Sequence, residues 1–333
     1  MSQFAIDAAT LDEARRFNRK LARMPRFKMR RRWAPRLLQA LLRLGQVGAD
    51  RRLAHAGIDA ERRLLTTDGA PVPLRILRPR GPVRAVVFDI HGGGWVIGNA
   101  RMNDKLNAAT IAACAVAVVS VDYRLALASA PDAPLAGPMD DCLAAARWLL
   151  EGGLPEYTGL PVFFVGESAG GHLAAATLLR LQAWPGLLRR VHGAVLYYGV
   201  YDLAGTPSVH GAGPETLVLD GPGMPEALRR LTPGLDDAAR RRAPLSPLYG
   251  DMSTPGGLPP ALLFAGELDP LRDDTVAMAA RWCAGADVEL HLLPQTPHGV
   301  IHFPTRMAHL MKARSHAWLR ARIDAAHGAA AMA

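Results

Sequence analysis

Gly166-Glu167-Ser168-Ala169-Gly170 is the stretch that decides how this chain is read, because of what flanks it. Before it, Pro161-Val162-Phe163-Phe164-Val165 is a short apolar run with β-branched and aromatic residues, the pattern of a buried strand. After it, residues 171–179 read as a helix. A serine at a strand-to-helix corner, with glycine two residues away on each side, fits a nucleophile elbow. Such a corner holds Ser168 in a strained backbone conformation, and only glycine at 166 and 170 lets neighbouring backbone come close. The hydroxyl is thereby exposed at the first turn of a helix, whose amides favour developing negative charge.

Outward from the elbow the pattern alternates. Strands are expected at 72–77, 83–90, 116–121, 193–198, 261–265 and 288–293, and helices at 103–114, 138–150, 275–284 and 306–323. Alternation of this kind builds a mostly parallel sheet with helices on both faces. Two segments stand outside it. Residues 1–54 carry Leu37, Leu38, Leu41, Leu42 and Leu44 at helical spacing, and residues 202–245 are rich in Gly and Pro. The expected organisation is therefore N-terminal cap helices over 1–54 and a catalytic domain over 55–333, with 202–245 contributing to the cap.

A serine is a weak nucleophile until an oriented base takes its proton. Downstream of Ser168, the strand at 261–265 runs into Gly266-Glu267-Leu268-Asp269-Pro270-Leu271, which puts an acid just past a strand end. The strand at 288–293 opens into Pro294-Gln295-Thr296-Pro297-His298-Gly299 at the same sheet edge. Ser168, Asp269 and His298 thus follow the order nucleophile, acid, base known for this kind of elbow. Glu267 competes with Asp269, and His302 with His298; the Pro270-Leu271 context favours Asp269, and His302 is read as structural. Upstream, the strand at 83–90 ends in His91-Gly92-Gly93-Gly94-Trp95. Amides of Gly92 and Gly93, with that of Ala169, are the expected oxyanion hole. His91, Trp95 and Tyr198 are expected around the substrate pocket, with His91 also bracing its loop; His172 is read as a packing residue.

Composition excludes several classes. With 21% charged and 50% hydrophobic residues the chain is globular, not disordered. Cys114, Cys142 and Cys283 are scattered, with no Cys-x-x-Cys pair, so neither a disulfide framework nor a zinc site is expected and a reducing, cytoplasmic setting is. No run reaches the ~18 apolar residues of a membrane span, and Asp7, Asp12 and Glu13 interrupt any signal-peptide core. The net charge of +9 is concentrated: residues 1–54 hold fourteen Lys/Arg against four Asp/Glu, a net of +10. A solvated helical face is preferred over a nucleic-acid arm or a membrane-surface patch. Asp273 and Asp274 lack a third ligand, so helix-start capping is expected of them and no metal or other cofactor.

Taken together, His91 to Trp95 with Gly98, Val121-Asp122-Tyr123-Arg124-Leu125-Ala126, Gly166 to Gly171, residues 269–274 and His298-Gly299 resemble the hormone-sensitive-lipase-like esterases, the alpha/beta hydrolase fold-3 group, and look most like its bacterial acetyl esterases. The resemblance spans roughly residues 60–320 and joins several separated motifs. It implies an α/β-hydrolase fold with a helical cap, Ser168 as nucleophile, Asp269 as acid, His298 as base, and a small-molecule ester as substrate. Two departures stand out. Glu167 occupies a position that is usually Asp, and Leu127-Ala128-Ser129-Ala130 intervene before Pro131-Asp132-Ala133-Pro134. The expected activity is a cofactor-independent carboxylesterase on short acyl esters. An amidase or peptidase on the same fold and a non-catalytic ligand-binding scaffold are the alternatives, and a homodimer is kept as a candidate assembly.

Overall fold

A computed structural model describes residues 6–28, 33–66, 70–254 and 257–332. Eight strands form one sheet: β1 (Ile58–Leu65), β2 (Val72–Pro79), β3 (Ala85–Ile90), β4 (Val116–Val121), β5 (Val162–Glu167), β6 (Val191–Tyr197), β7 (Ala261–Gly266) and β8 (Val288–Leu293). Their order is β1-β2-β4-β3-β5-β6-β7-β8. β2 pairs antiparallel with both β1 and β4, and the rest are parallel. The helices are α1 (Ala8–Leu21), α2 (Trp33–Gly45), α3 (Ala49–His55), α4 (Asp104–Cys114), α5 (Ala136–Leu150), α6 (Ala169–Leu181), α7 (Pro185–Leu188), α8 (Pro207–His210), α9 (Met224–Leu231), α10 (Asp237–Arg240), α11 (Arg272–Trp282) and α12 (Arg306–Met332).

The central strands are apolar on both faces because both faces are covered. In β3, Val86, Phe88 and Ile90 join the core layer that includes α5, α6 and α11, while Ala85 and Val87 join the layer of α3, α4 and α12. β1 was not foreseen in the sequence. Its Ile-Asp-Ala-Glu-Arg-Arg-Leu-Leu run is an edge strand whose charges face water or each other, as in the Arg63–Glu61 and Arg78–Glu61 pairs.

Register brings the loops of interest together. Ile90 on β3 pairs with Gly166 on β5, so the triple glycine leaves the sheet beside the elbow. Gly266 on β7 pairs with Leu293 on β8, so the loops carrying Asp269 and His298 leave side by side.

The outlying segments are helical but divide differently from expectation. α1 braces the loop that carries His298: Phe17 packs against Phe303 with the rings tilted, Asn18 donates to the Gln295 carbonyl at 2.8 Å, and the Arg306 amide donates to Glu13 at 2.7 Å. Of the leucine stripe on α2, Leu38 and Leu42 pack on the core, whereas Leu37, Leu41 and Leu44 are exposed. Arg30, Arg31 and Arg32 of the basic segment lie outside the described residues. Among those described, no helix is long and apolar enough to cross a membrane.

Asp273 and Asp274 require a correction. Neither carboxylate caps α11: the residue at the cap position is Leu271, and the Ser208 hydroxyl accepts from the Asp273 amide at 3.1 Å. Asp274 is buried and accepts from the Tyr201 amide at 2.6 Å, the Asp202 amide at 2.9 Å and the Thr206 hydroxyl at 2.6 Å, while Asp273 accepts from the Ser208 amide at 2.9 Å. Both tie the segment after β6 to α11. Burial pushes the Asp274 carboxyl up to about 7 against these three donors. Asp274→Ala strands the three donors, and about 3 kcal/mol of stability should go with them. Urea unfolding checks this, and an unchanged midpoint would show that the tie is idle.

Candidate active site

β5 ends at Glu167 and α6 begins at Ala169, leaving Ser168 at φ 52°, ψ −119°. A non-glycine residue at positive φ is strained, and here the surrounding backbone enforces it. A Cβ on Gly166 would lie 2.4 Å from the Gly170 carbonyl oxygen, and one on Gly170 would lie 2.0 Å from that of Ile90. Both glycines are thus required by close approach.

Ser168 Oγ lies 3.0 Å from His298 Nε2, and His298 Nδ1 lies 2.9 Å from Asp269 Oδ2. Asp269 and His298 are buried, and the second carboxylate oxygen of Asp269 accepts from the Leu271 amide at 2.9 Å. That leaves His298 Nδ1–H as donor to Asp269 and Nε2 free to accept from the serine. Glu267 is exposed and forms no part of this chain of hydrogen bonds.

The glycine loop departs from expectation by one residue. The Gly92 amide is turned to Glu167 Oε1 at 3.4 Å. The amides of Gly93, Gly94 and Ala169 have no acceptor among the described residues; Gly93 and Gly94 line the cavity with Ser168, and Ala169 directly follows it. Gly93 has φ 108°, and a Cβ there would sit 2.2 Å from the Ile97 carbonyl oxygen, so the loop position demands glycine.

Ser168 and His298 open into a cavity of about 200 Å³ with mostly apolar walls, including Ile97, Val200 and Leu271. Phe27 covers it from the N-terminal segment, and Val218, Leu219, Met224 and Leu228 from the 202–245 segment. The two segments are stitched together there: Phe27 N–H donates to the Val218 carbonyl at 2.7 Å, and Arg26 Nε donates to that of Thr216 at 2.6 Å. The leucines of α2 do not line this cavity, and neither do residues 127–130; Leu127 is exposed.

Of the three residues expected around the pocket, Trp95 and Tyr198 line it and His91 does not. His91 is buried beneath the loop, stacked on Tyr123 at 4.2 Å, with Nδ1 donating to the Gly92 carbonyl at 2.8 Å. Burial lowers its pKa. Tyr198 meets the His298 ring edge-on at 4.7 Å. Trp95 donates through Nε1 to His172 Nδ1 at 3.3 Å, and His172 Nε2 donates to the Leu245 carbonyl at 2.8 Å. This fixes His172 as a neutral packing residue, and burial pulls it down to about 4. One feature of the site was missed in the sequence: His302, read there as structural, lines the cavity and pairs with Glu167 at 2.6 Å.

Residues 87–302 match the model of a family described as having the alpha/beta hydrolase fold. Carboxylesterase NlhH of Mycobacterium tuberculosis (strain CDC 1551 / Oshkosh) is 35% identical over 256 residues, which cover 73% of this chain and 76% of that protein. The crystal structure of esterase LipW from Mycobacterium marinum superposes with a TM-score of 0.78 at 27% identity, covering 96% of this chain and 99% of that one. An esterase from the bacterial hormone-sensitive lipase family superposes with a TM-score of 0.69 at 26% identity, over 96% of this chain and 100% of the other.

Proposed function

This chain belongs to the alpha/beta hydrolase fold family, among its hormone-sensitive-lipase-like esterases, and from that premise we propose that it is a serine carboxylesterase that cleaves short-chain acyl esters through an acyl-enzyme. The observation that carries the reading is the continuous Ser168–His298–Asp269 hydrogen-bond chain at the floor of an apolar cavity. Ser168 Oγ attacks the ester carbonyl while His298 Nε2 takes its proton. The carbonyl oxygen, now an oxyanion, turns towards the amides of Gly93, Gly94 and Ala169, where the N-terminus of α6 adds its dipole. His298 returns the proton to the departing alcohol. A water then attacks the acyl-serine by the same route in reverse, releasing the acid.

The placing of Phe27, Val218, Leu219, Met224 and Leu228 on the cavity wall supports reading the 202–245 segment and the stretch around Phe27 as the cap. The cap excludes water and strengthens the polar interactions beneath it. The small cavity supports the acyl preference: about 200 Å³ falls below the ~300–1,000 Å³ that holds drug-sized ligands. Initial rates on p-nitrophenyl esters of increasing acyl length should therefore peak between about two and six carbons. A pre-steady-state burst of p-nitrophenol close to one equivalent should accompany the acetate. A rate maximum at about ten carbons or more would overturn the short-chain reading, and hydrolysis with no hydroxylamine-trappable acyl group would overturn the acyl-enzyme.

A further inference from the structure

Glu167 is placed where a carboxylate is chemically awkward. It directly precedes the nucleophile, is buried, and touches the loop whose amides face the reacting carbonyl. An uncompensated negative charge there opposes the negative charge that develops on the substrate oxygen. The structure supplies a counter-charge: His302 Nε2 lies 2.6 Å from Glu167 Oε2. More than a third of the His302 side chain is exposed, so the imidazole exchanges protons with solvent.

Glu167 is also the junction of three parts of the site. Oε2 accepts from the Tyr198 hydroxyl at 3.1 Å, and Tyr198 packs edge-on against the His298 ring. Oε1 receives the Gly92 amide, and Gly92 is packed so closely on the elbow that an added Cβ would sit 3.1 Å from the Glu167 carbonyl oxygen and 3.4 Å from Ser168 Cβ. Gly92 leads directly into Gly93 and Gly94. A shift of the Glu167 carboxylate therefore moves both the amide donors and the ring beside the base.

Resting on the esterase reading above, we propose that the Glu167–His302 ion pair is a positioning element of the oxyanion hole: the carboxylate anchors the glycine loop and Tyr198, and protonated His302 neutralises it so that it does not repel the oxyanion. Neither residue touches the reacting atoms. Titratable groups surrounding the pair are Asp89 and His91 at the end of β3, Tyr123, Tyr197, Tyr198, His298 and, on α12, Lys312. The balance among them favours the charged pair. The Glu167 charge raises the His302 pKa against the opposing effect of burial, with Asp89 adding to the rise and Lys312 subtracting from it. Burial alone pushes Glu167 up, but the His302 charge and the hydrogen bonds from His302, Tyr198 and Gly92 outweigh it and bring the carboxyl down to about 2. The sign follows. His302 is protonated below its raised pKa, and as pH climbs through that value the counter-charge is lost while Glu167 stays ionised. The turnover rate then falls on the alkaline side, above the ordinary imidazole value of about 6.5.

The test uses His302→Gln, Glu167→Gln and the double variant, with kcat and KM for p-nitrophenyl acetate measured across pH. His302→Gln keeps a donor for Glu167 and removes the charge at a solvent-accessible position, so it should fold. Its kcat should fall about 10- to 100-fold at neutral pH with KM within about threefold, and the alkaline limb should disappear. Adding Glu167→Gln to it removes the uncompensated charge, so the double variant should be faster than His302→Gln alone. A residue with only a packing role gives no such rescue. In parallel, NMR titration of the His302 imidazole should show a pKa above the ordinary value in the wild type that drops in Glu167→Gln. The pair proposal is overturned by a His302→Gln enzyme with wild-type kcat and pH profile, by a double variant no faster than the single one, or by a His302 titration indifferent to Glu167. A wild type that cleaves no ester while its His302 titration moves as expected would instead defeat the esterase reading.

Discussion

Ser168→Ala should leave a folded protein whose kcat on p-nitrophenyl acetate is lower by about 10⁵- to 10⁶-fold. Among the described residues the hydroxyl has one hydrogen-bond partner, His298 Nε2, so its removal costs little in the fold. Alanine also inherits the same φ of 52° that the surrounding glycines already enforce on serine. What disappears is the covalent route. At 1.36 kcal/mol per decade the expected loss amounts to roughly 7–8 kcal/mol of transition-state stabilisation. Some hydrolysis should survive, because the amides of Gly93, Gly94 and Ala169 still polarise a bound ester and water can enter the space left by the hydroxyl. Initial rates on protein whose circular dichroism and thermal midpoint match the wild type are the measurement. Turnover within about tenfold of wild type would remove Ser168 from the chemistry.

The sequence was most legible where chemistry demands consecutive residues. The elbow compresses a strand end, a nucleophile and two close-approach glycines into five positions, and each glycine answers to a contact that nothing larger survives. The loops bearing Asp269 and His298 were legible from the strands before them: β7 is an apolar run of the kind a doubly covered sheet produces, and β8 is an alternating strand at the sheet edge that opens beside it. Legibility failed where the deciding partner lies elsewhere. His302 and Glu167 are 135 positions apart, and neither neighbourhood hints at the other. A run of three glycines announces free amides without saying which is already engaged, and the Gly92 amide is turned to Glu167. The leucine periodicity of α2 marks an amphipathic helix, yet Leu37, Leu41 and Leu44 face outward while Leu38 and Leu42 pack, because a wide stripe exceeds the surface available to it. β1 was hidden by its charges, since alternation on an edge strand is diluted by ion pairs along the rim.

Asp269→Asn should lower kcat by about 10⁴-fold, while Glu267→Gln should stay within about twofold of wild type. Both acids follow β7 and are two residues apart, so the comparison isolates geometry from local sequence. Asp269 presents Oδ2 to His298 Nδ1 at 2.9 Å and is held by the Leu271 amide on its other oxygen, in a site with no room for a mobile acid. An ionised carboxylate there compels Nδ1 to carry the hydrogen, leaving Nε2 with a lone pair for the serine proton. It also stabilises the imidazolium formed on transfer. Asparagine keeps the shape but offers an amide N–H as readily as an oxygen. When the N–H faces Nδ1 the imidazole hydrogen moves to Nε2, and the base then has no lone pair for Ser168. The loss should therefore appear in kcat with KM little changed, since the cavity walls are untouched. Glu267 is exposed and takes no part in these hydrogen bonds, so neutralising it removes only a solvated surface charge. Steady-state kinetics on the two variants side by side decides the assignment. A crippled Glu267→Gln beside a healthy Asp269→Asn would transfer the role of orienting acid from Asp269 to Glu267, and the hydrogen bond to His298 would then be a structural one.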